Sequence, residues 1–519
     1  MEYEFLFKFV AAVLILCAVT IPYVLKRDIA FQNDIRTIMT HKQLTYIPKT
    51  VTRPAIISYL CGLTAVSLLY INHIMQLQFI LFGLVFAVGF FHYSNQLSKQ
   101  WHVTRVSDAR FAKDLFTTAL LLRLAYVIFS YFYYEWATGQ PFMYHSADEG
   151  AYHAMALEGC EGIKNGHAWV FPFLQIMEAG SDTSDLGYAT YLSYVYWLTG
   201  NSIFLTRVIK ALLGAWTVSK MYQLARRNFG ESVGRMTGIV CAIAPNLIYY
   251  CGLHLKELEM VCIVVLFIER ADYVLRSTKM TFKDTIVVLL LGLALFGFRT
   301  VLGVVAFLSV GVAVLFTKSK TVSWVKRFAL IVFAVLVLGA GYGNRLAETI
   351  NALVAEQQDG YQEKGMEFRS IREGGNTFAK YAGAAVFAPM IFTIPFPTAV
   401  DIEGQENQQL LNGGNFVKNV FSFFAIFALI VAVFSGKWRE NALPWAFAVG
   451  YLAVIAMSNF AQSERFHQPA YPFIMMFACC GISQMTKPKF KRWYSLWCGL
   501  MAVAMIAWTW FKLKGRGMV

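Results

Sequence analysis

The sequence predicts an all-α polytopic membrane protein, and three observations carry that prediction. Hydrophobic residues make up 57% of the 519-residue chain and charged residues only 15%, against about 45–50% and about 25% in soluble domains. Mean hydropathy is +0.51. Apolar runs of span length recur along the chain and are separated by basic stretches. At about 20 residues per span, this apolar content fills roughly 14 helices. A cytosolic enzyme, a disordered chain and a small secreted scaffold are excluded on the same grounds.

The elements follow in order. Apolar runs predict helices over 5–25, 55–72, 77–95 and 115–134. A polar and aromatic stretch occupies 135–201, and further spans are expected at 203–224, 234–251, 258–275, 285–298, 301–317 and 328–343. A second long loop covers 344–416, with a Pro- and Gly-interrupted apolar piece from Phe378 to Pro397 that suits a re-entrant or interfacial segment. The last spans are 417–435, 443–460, 469–485 and 493–511. The total is about 13–14 transmembrane helices with two long external loops carrying short helices. Arg299 interrupts the 285–317 run, and a charge at mid-bilayer costs several kcal/mol. The run is therefore broken there as a tight hairpin. The run at 5–25 lacks a small-residue cleavage site and is read as a retained helix. Four regions result: N-terminal helices with basic loops at 1–114, a core at 115–343 with the first external loop at 135–201, the second external loop at 344–416, and C-terminal helices at 417–519.

Lys+Arg number 45 and Asp+Glu 31, for a net charge of +14. The positive charges sit between apolar runs, where they hold cytoplasmic loops, so no nucleic-acid partner is expected. Lys26, Arg27, Arg36, Lys42, Lys49 and Arg53 mark one such loop, Lys99, Arg105, Arg110 and Lys113 another, and Lys487, Lys489, Lys491 and Arg492 the last. With the N-terminus outside, these clusters share the cytoplasmic side and both long loops face away from it. Lys512, Lys514 and Arg516 then fall on the wrong side: either the final helix does not cross, or one span is misplaced. Nine cysteines show no CxxC or Cys/His zinc spacing, so neither a disulfide framework nor a structural metal is expected.

Chemistry-bearing residues concentrate near the external ends. His145-Ser-Ala-Asp148-Glu149-Gly-Ala-Tyr152-His153 puts two adjacent acids after an aromatic helix end at Tyr131–Trp136. A carboxylate there can act as a general base or ligate a divalent cation through oxygen; the plain alternative is a helix-capping acid. His254-Leu-Lys256-Glu257-Leu-Glu259 opens the span at 258–275. Glu257 and Glu259 do not share a helix face. We favour Glu257 for a site and a helix–helix contact for Glu259; the plain alternative for this cluster is an interfacial anchor. Arg207, Lys210, Arg299 and Arg465 are external cations that run against the positive-inside bias, as a phosphate held at that face would require; pairing with local acids, such as Glu464 beside Arg465, is the alternative. Arg123, inside the fourth span, calls for a polar partner in the bundle.

The ordered set Asp148-Glu149…Tyr152, Gly187-Tyr188…Tyr191, Leu198-Thr-Gly-Asn-Ser-Ile-Phe204 with Arg207, and Leu224-Ala-Arg-Arg-Asn-Phe-Gly230 before Pro245 resembles the GT-C type glycosyltransferases, in the branch of protein O-mannosyltransferases and lipid A aminoarabinose transferases. The resemblance covers roughly residues 115–275. It implies an integral enzyme of the bacterial inner (plasma) membrane with its site facing the periplasm. Such an enzyme transfers sugar from a polyprenyl-phosphate donor to an acceptor hydroxyl on a protein, lipid or glycan. It implies Asp148 as base with Glu149 beside it, and Glu257 as a second acid orienting the acceptor or, with Asp148, a divalent cation. It also implies Arg465, Lys256, Arg207 and Arg299 as donor-phosphate ligands, and Tyr152, His145 and His254 as acceptor- or sugar-binding residues. Unlike the family's core, three predicted helices precede the acidic loop. A membrane polymerase or ligase of lipid-linked glycans would instead use the later loop near Arg369, Arg372 and Arg465. A flippase would need ionisable residues within several spans.

Overall fold

The structure, a computed structural model, describes residues 43–178, 183–277, 281–317, 332, 388–458 and 460–519. The predicted span at 5–25, that at 328–343 apart from Val332, and Arg369 and Arg372 of the second loop lie outside the described residues. Among the described residues the chain is helical, with a single isolated β-bridge between Ile74 and Val400. The all-α, membrane-embedded architecture follows from five helices long and apolar enough to cross a bilayer, at Lys49–Leu69, Leu77–Gln100, Asp108–Thr138, Asn412–Phe434 and Phe490–Lys514.

We number the helices in chain order. α1 is Lys49–Leu69, α2 Leu77–Gln100, α3 Asp108–Thr138, α4 Ala147–Lys164, α5 Phe171–Glu178, α6 Thr183–Thr199, α7 Ile203–Phe229, α8 Glu231–Ile243 and α9 Pro245–Tyr249. α10 is Glu257–Arg276, α11 Phe282–Phe298, α12 Thr300–Phe316, α13 Glu406–Leu410, α14 Asn412–Phe434, α15 Ala442–Ala456, α16 Glu464–His467, α17 Tyr471–Gln484 and α18 Pro488–Lys514. The hairpin expected at Arg299 is present: α11 ends at Phe298, and Arg299 is extended at φ −166° and ψ 111°. Phe296 and Phe307 then stack across it at 6.0 Å. The helices form two compact units, one from Gln100 to Val312 and one joining the helices before Lys99 to those after Ala313.

In the 100–312 unit, α3 is 31 residues long, about 46 Å at 1.5 Å per residue, and outreaches a ~30 Å hydrocarbon core. Its end carries Tyr133, Tyr134 and Trp136 and stops at Gly139, whose φ of 75° admits the left-handed cap. Arg123 on α3 is buried, and its partner is backbone. It donates to the carbonyls of Ala242 (3.0 Å) and Cys241 (3.1 Å). Pro245 interrupts the ladder between α8 and α9 and leaves such carbonyls in need of donors. α7 and α10 run parallel, joined at one end by Lys210 and Glu259 and at the other by Arg227 with Glu269 and Asp272. Around that second end the basic clusters are paired: Arg226 and Arg235 each reach Asp108 at 2.7 Å, and Arg276 reaches Asp272 at 2.9 Å.

In the other unit, α1 and α18 are parallel. The Tyr494 hydroxyl donates to Val51 O at 2.7 Å near their starts, and a His73 ring nitrogen meets Met518 O at 3.2 Å past their ends. The basic end gathers Leu44, Ile47, Ser98 and Ser483 through Leu44 N–Ser483 O (2.8 Å) and Ile47 N–Ser98 Oγ (3.1 Å). At the opposite end Lys512 is buried, and its Nζ donates to Thr398, Gln405 and Gln408 at 2.6, 2.7 and 2.6 Å. The final helix therefore runs the full length of α1, and Lys512 in its last turn is solvated by three side-chain oxygens.

Candidate active site

The first acidic motif starts a helix. Ser146 Oγ caps α4 by accepting from Glu149 N at 3.2 Å, half of an S-x-x-E capping box. The other half is diverted. The Glu149 carboxylate is buried and accepts from Met143 N at 2.6 Å and from His254 N, stitching the 139–147 loop to the turn before α10. Burial raises the Glu149 carboxyl above the usual range, opposed by the Arg207 charge and the two backbone donors. Asp148 is exposed one residue earlier, so the two adjacent acids have opposite surroundings. His145 is also exposed and takes a left-handed φ of 51°, uncommon for a non-glycine residue.

Behind Glu149 the ends of α7 and α10 meet. Ser202 Oγ caps α7 at Leu205 N, 3.2 Å away, and the first turns carry Arg207 and Lys210, both 0% exposed. Lys210 Nζ lies 3.0 Å from Glu259 Oε2 and 3.3 Å from the Tyr188 hydroxyl, and donates to Leu255 O. Arg207 donates through Nη2 to Pro141 O. Among the described residues its Nε and Nη1 find no hydrogen-bond acceptor. Arg299, at the hairpin corner, reaches Glu257 Oε1 at 3.9 Å. Lys256 lies over the Tyr152 ring at 5.9 Å, and Tyr152 meets Tyr188 edge-on at 4.9 Å. Four cations (Arg207, Lys210, Lys256, Arg299) thus stand among three buried acids (Glu149, Glu257, Glu259), an excess of positive charge where charge is costly.

The helices approach closely enough to make this cluster because small residues sit at the crossings. Gly187 of α6 lies against Gly297 of α11, where a Cβ would come within 2.8 Å of backbone. Gly252 is similarly pressed against Ser130 of α3, so the 250–256 turn rests on that helix. α6 and α7 meet at a bend of 114°, which turns Tyr188 and Tyr196 toward the starts of α7 and α10.

Of the residues expected from sequence, Glu149, Glu257, Lys256, Arg207, Arg299, Tyr152 and His254 come together in this unit. Asp148 and His145 lie exposed on the adjoining loop and helix start. Arg465 stands on α16 in the other unit, two residues from His467, whose Nδ1 is 2.7 Å from buried Lys418 Nζ. Glu259 is the helix–helix contact expected of it, but Glu257 is equally buried. Among the described residues no group of three or more His, Cys, Asp or Glu stands close enough to hold a metal ion. From sequence Lys210 stood only among the external cations and His153 only as the last residue of the acidic motif, neither with a role, and Tyr196 was not singled out. Two of the three carried a signal: a lysine one turn after Arg207, and a histidine directly after Tyr152. Comparison with family models, curated proteins and solved structures gives no match for this chain.

Proposed function

We propose that this chain is a GT-C type membrane glycosyltransferase that moves a sugar from a polyprenyl-phosphate donor to an acceptor hydroxyl at the external, periplasmic face of a bacterial inner membrane. The observation that carries the reading is Arg207, a fully buried guanidinium with two donors that find no acceptor among the described residues. A buried cation in that state calls for an anion, and a guanidinium fork matches phosphate oxygens. Lys256, Arg299 and Lys210 add charge around it. Exposed Asp148 sits one residue from the buried cluster, where an acceptor arriving from water would meet it.

In this reaction the acceptor oxygen attacks the anomeric carbon and gives its proton to the Asp148 carboxylate. The bond from that carbon to phosphate oxygen breaks, and its electron pair stays on the phosphate. Attack opposite the leaving group inverts the configuration. Arg207, Lys256 and Arg299 stabilise the charge that grows on the phosphate. Glu257 holds Arg299 in place. The pair that would ligate a divalent cation, Asp148 and Glu257, does not form a ligand group among the described residues, so the step is written without one.

The test is transfer from polyprenyl-phosphate sugars in proteoliposomes, comparing wild type with Asp148→Asn and Arg207→Gln. The reading expects release of polyprenyl phosphate by wild type and a loss of about 100-fold or more in each folded variant. Full activity in Asp148→Asn removes the base assignment and favours a polymerase or ligase working elsewhere in the chain. No donor consumption by wild type overturns the enzyme reading.

A further inference from the structure

Three side chains form a continuous hydrogen-bonded row from the surface of the 100–312 unit to its buried cluster. His153 Nδ1 lies 2.6 Å from the Tyr196 hydroxyl, and that hydroxyl lies 3.1 Å from His254 Nε2. His153 is half-buried, whereas Tyr196 and His254 are 0% exposed. The row is rigid. Tyr196 stacks on His254 at 6.0 Å and 24°, and Phe142 packs against both imidazoles at 5.7 and 6.0 Å. The far nitrogen, His254 Nδ1, is buried and has no hydrogen-bond partner among the described residues.

We propose that His153, Tyr196 and His254 are a proton relay that serves the leaving phosphate, with His254 Nδ1 as its inner terminus. The proposal rests on the glycosyl-transfer reading given above.

The relay works because each member both gives and takes one proton. When the bond from sugar to phosphate breaks, His254 Nδ1–H protonates a phosphate oxygen. His254 Nε2 takes the Tyr196 hydroxyl proton, Tyr196 takes the proton of His153 Nδ1, and His153 Nε2 takes one from water. No member carries charge afterwards. The same passage in reverse returns the proton to water before the phosphate departs as its dianion, and restores the starting tautomers. The acceptor's own proton leaves separately through Asp148, so the overall reaction balances.

The surroundings suit neutral imidazoles. The charges of Lys210 and Arg207 of α7 act on the His254 ring, Glu149 of α4 accepts from its backbone N–H, and Tyr188 of α6 packs 6.5 Å away. Burial, with the charges of Lys210 and Arg207, holds the His254 imidazole well below its usual range, and burial lowers His153 as well. A neutral imidazole carries one proton on two nitrogens, the state a relay requires.

Tyr196→Phe keeps the ring stack and removes only the shared hydroxyl. In full-length protein with 15N-labelled histidine, wild type should show His153 and His254 changing tautomer together on titration, and Tyr196→Phe should uncouple them. In the transfer assay, Tyr196→Phe should lower kcat about 100-fold with donor KM within about twofold, and change the solvent isotope effect. Added imidazole should restore most of the rate to His153→Ala, whose cavity opens to water. Independent titration in wild type, or unchanged kcat and isotope effect in Tyr196→Phe, overturns the relay. Coupled histidines in a protein that consumes no donor would keep the hydrogen-bonded row but overturn glycosyl transfer and, with it, the leaving phosphate as the relay's recipient.

Discussion

Lys210 Nζ and Glu259 Oε2 stand 3.0 Å apart with the Lys210 side chain 0% and the Glu259 side chain 3% exposed. Removing one partner leaves the other charged and buried, which costs about 3–5 kcal/mol, while replacing both with apolar residues costs far less. Lys210→Met should therefore lower stability by that amount, and Lys210→Met with Glu259→Leu should recover most of it. SDS-induced unfolding of the purified protein measures both. Equal losses in the single and double variants would mean that the pair contributes packing alone.

Glu149 gives stability a pH dependence of defined sign. Its carboxyl is raised in the folded state by burial, so its favourable contribution is complete below the unfolded value of about 4.3 and is lost as pH rises through the folded value. Wild type should lose stability relative to Glu149→Gln as pH rises above that unfolded value. Parallel melting curves for the two proteins across this window would contradict the assignment.

Gly187→Ala puts a methyl 2.8 Å from the Gly297 backbone, which cannot rotate away as a side chain would. α6 must then lift from α11, carrying Tyr188 and Tyr196. We expect a stability loss of about 1–3 kcal/mol together with a fall in transfer rate. Gly481→Ala, against the Phe424 carbonyl of α14, should destabilise comparably and spare the rate per folded molecule.

The two ends of the other unit can be read by labelling. Asn72, in the turn after α1, and Met518, beside His73 at the C-terminus, lie at one end; Arg492, at the start of α18, lies at the other. Single cysteines at Asn72 and Met518 should react with an impermeant maleimide from the same side of sealed vesicles, and a cysteine at Arg492 only from the opposite side. Labelling of Met518→Cys with Arg492→Cys would mean that α18 does not cross.

How far the sequence could be read depended on the range of the interaction. Helices at 55–72, 115–134 and 417–435 were legible because a span is marked by its own apolar residues. The corner at Arg299 was legible because a mid-run charge is expensive wherever it sits. The choice between Asp148 and Glu149 for burial was not legible, since adjacent helical residues differ by about 100° and the deciding contacts come from Met143 and the distant His254. Arg123's use of the Cys241 and Ala242 carbonyls was equally hidden, because it depends on the break at Pro245 lying beside α3. The union of α1 and α2 with α14, α17 and α18 rests on contacts more than 300 residues apart, such as Tyr59 with Asn412, and no local pattern announces those.

The parallel pair α7 and α10 has a further consequence. Sliding one helix past the other by a single turn, about 5.4 Å, would strip Lys210 from Glu259 and Arg227 from Glu269 and Asp272 in one movement. The buried pair at one end and the half-buried Arg227 with its two acids at the other therefore act like the teeth of a gear, engaged together in one register. Any breathing that admits a large lipid-linked substrate is then left to the parts outside this pair: the 139–147 loop, tied to Glu149 and Arg207, α6 at its glycine crossing, and the Arg299 corner. Those are the places where slow motion should be sought by hydrogen exchange, with α7 and α10 as the fixed frame against which it is measured.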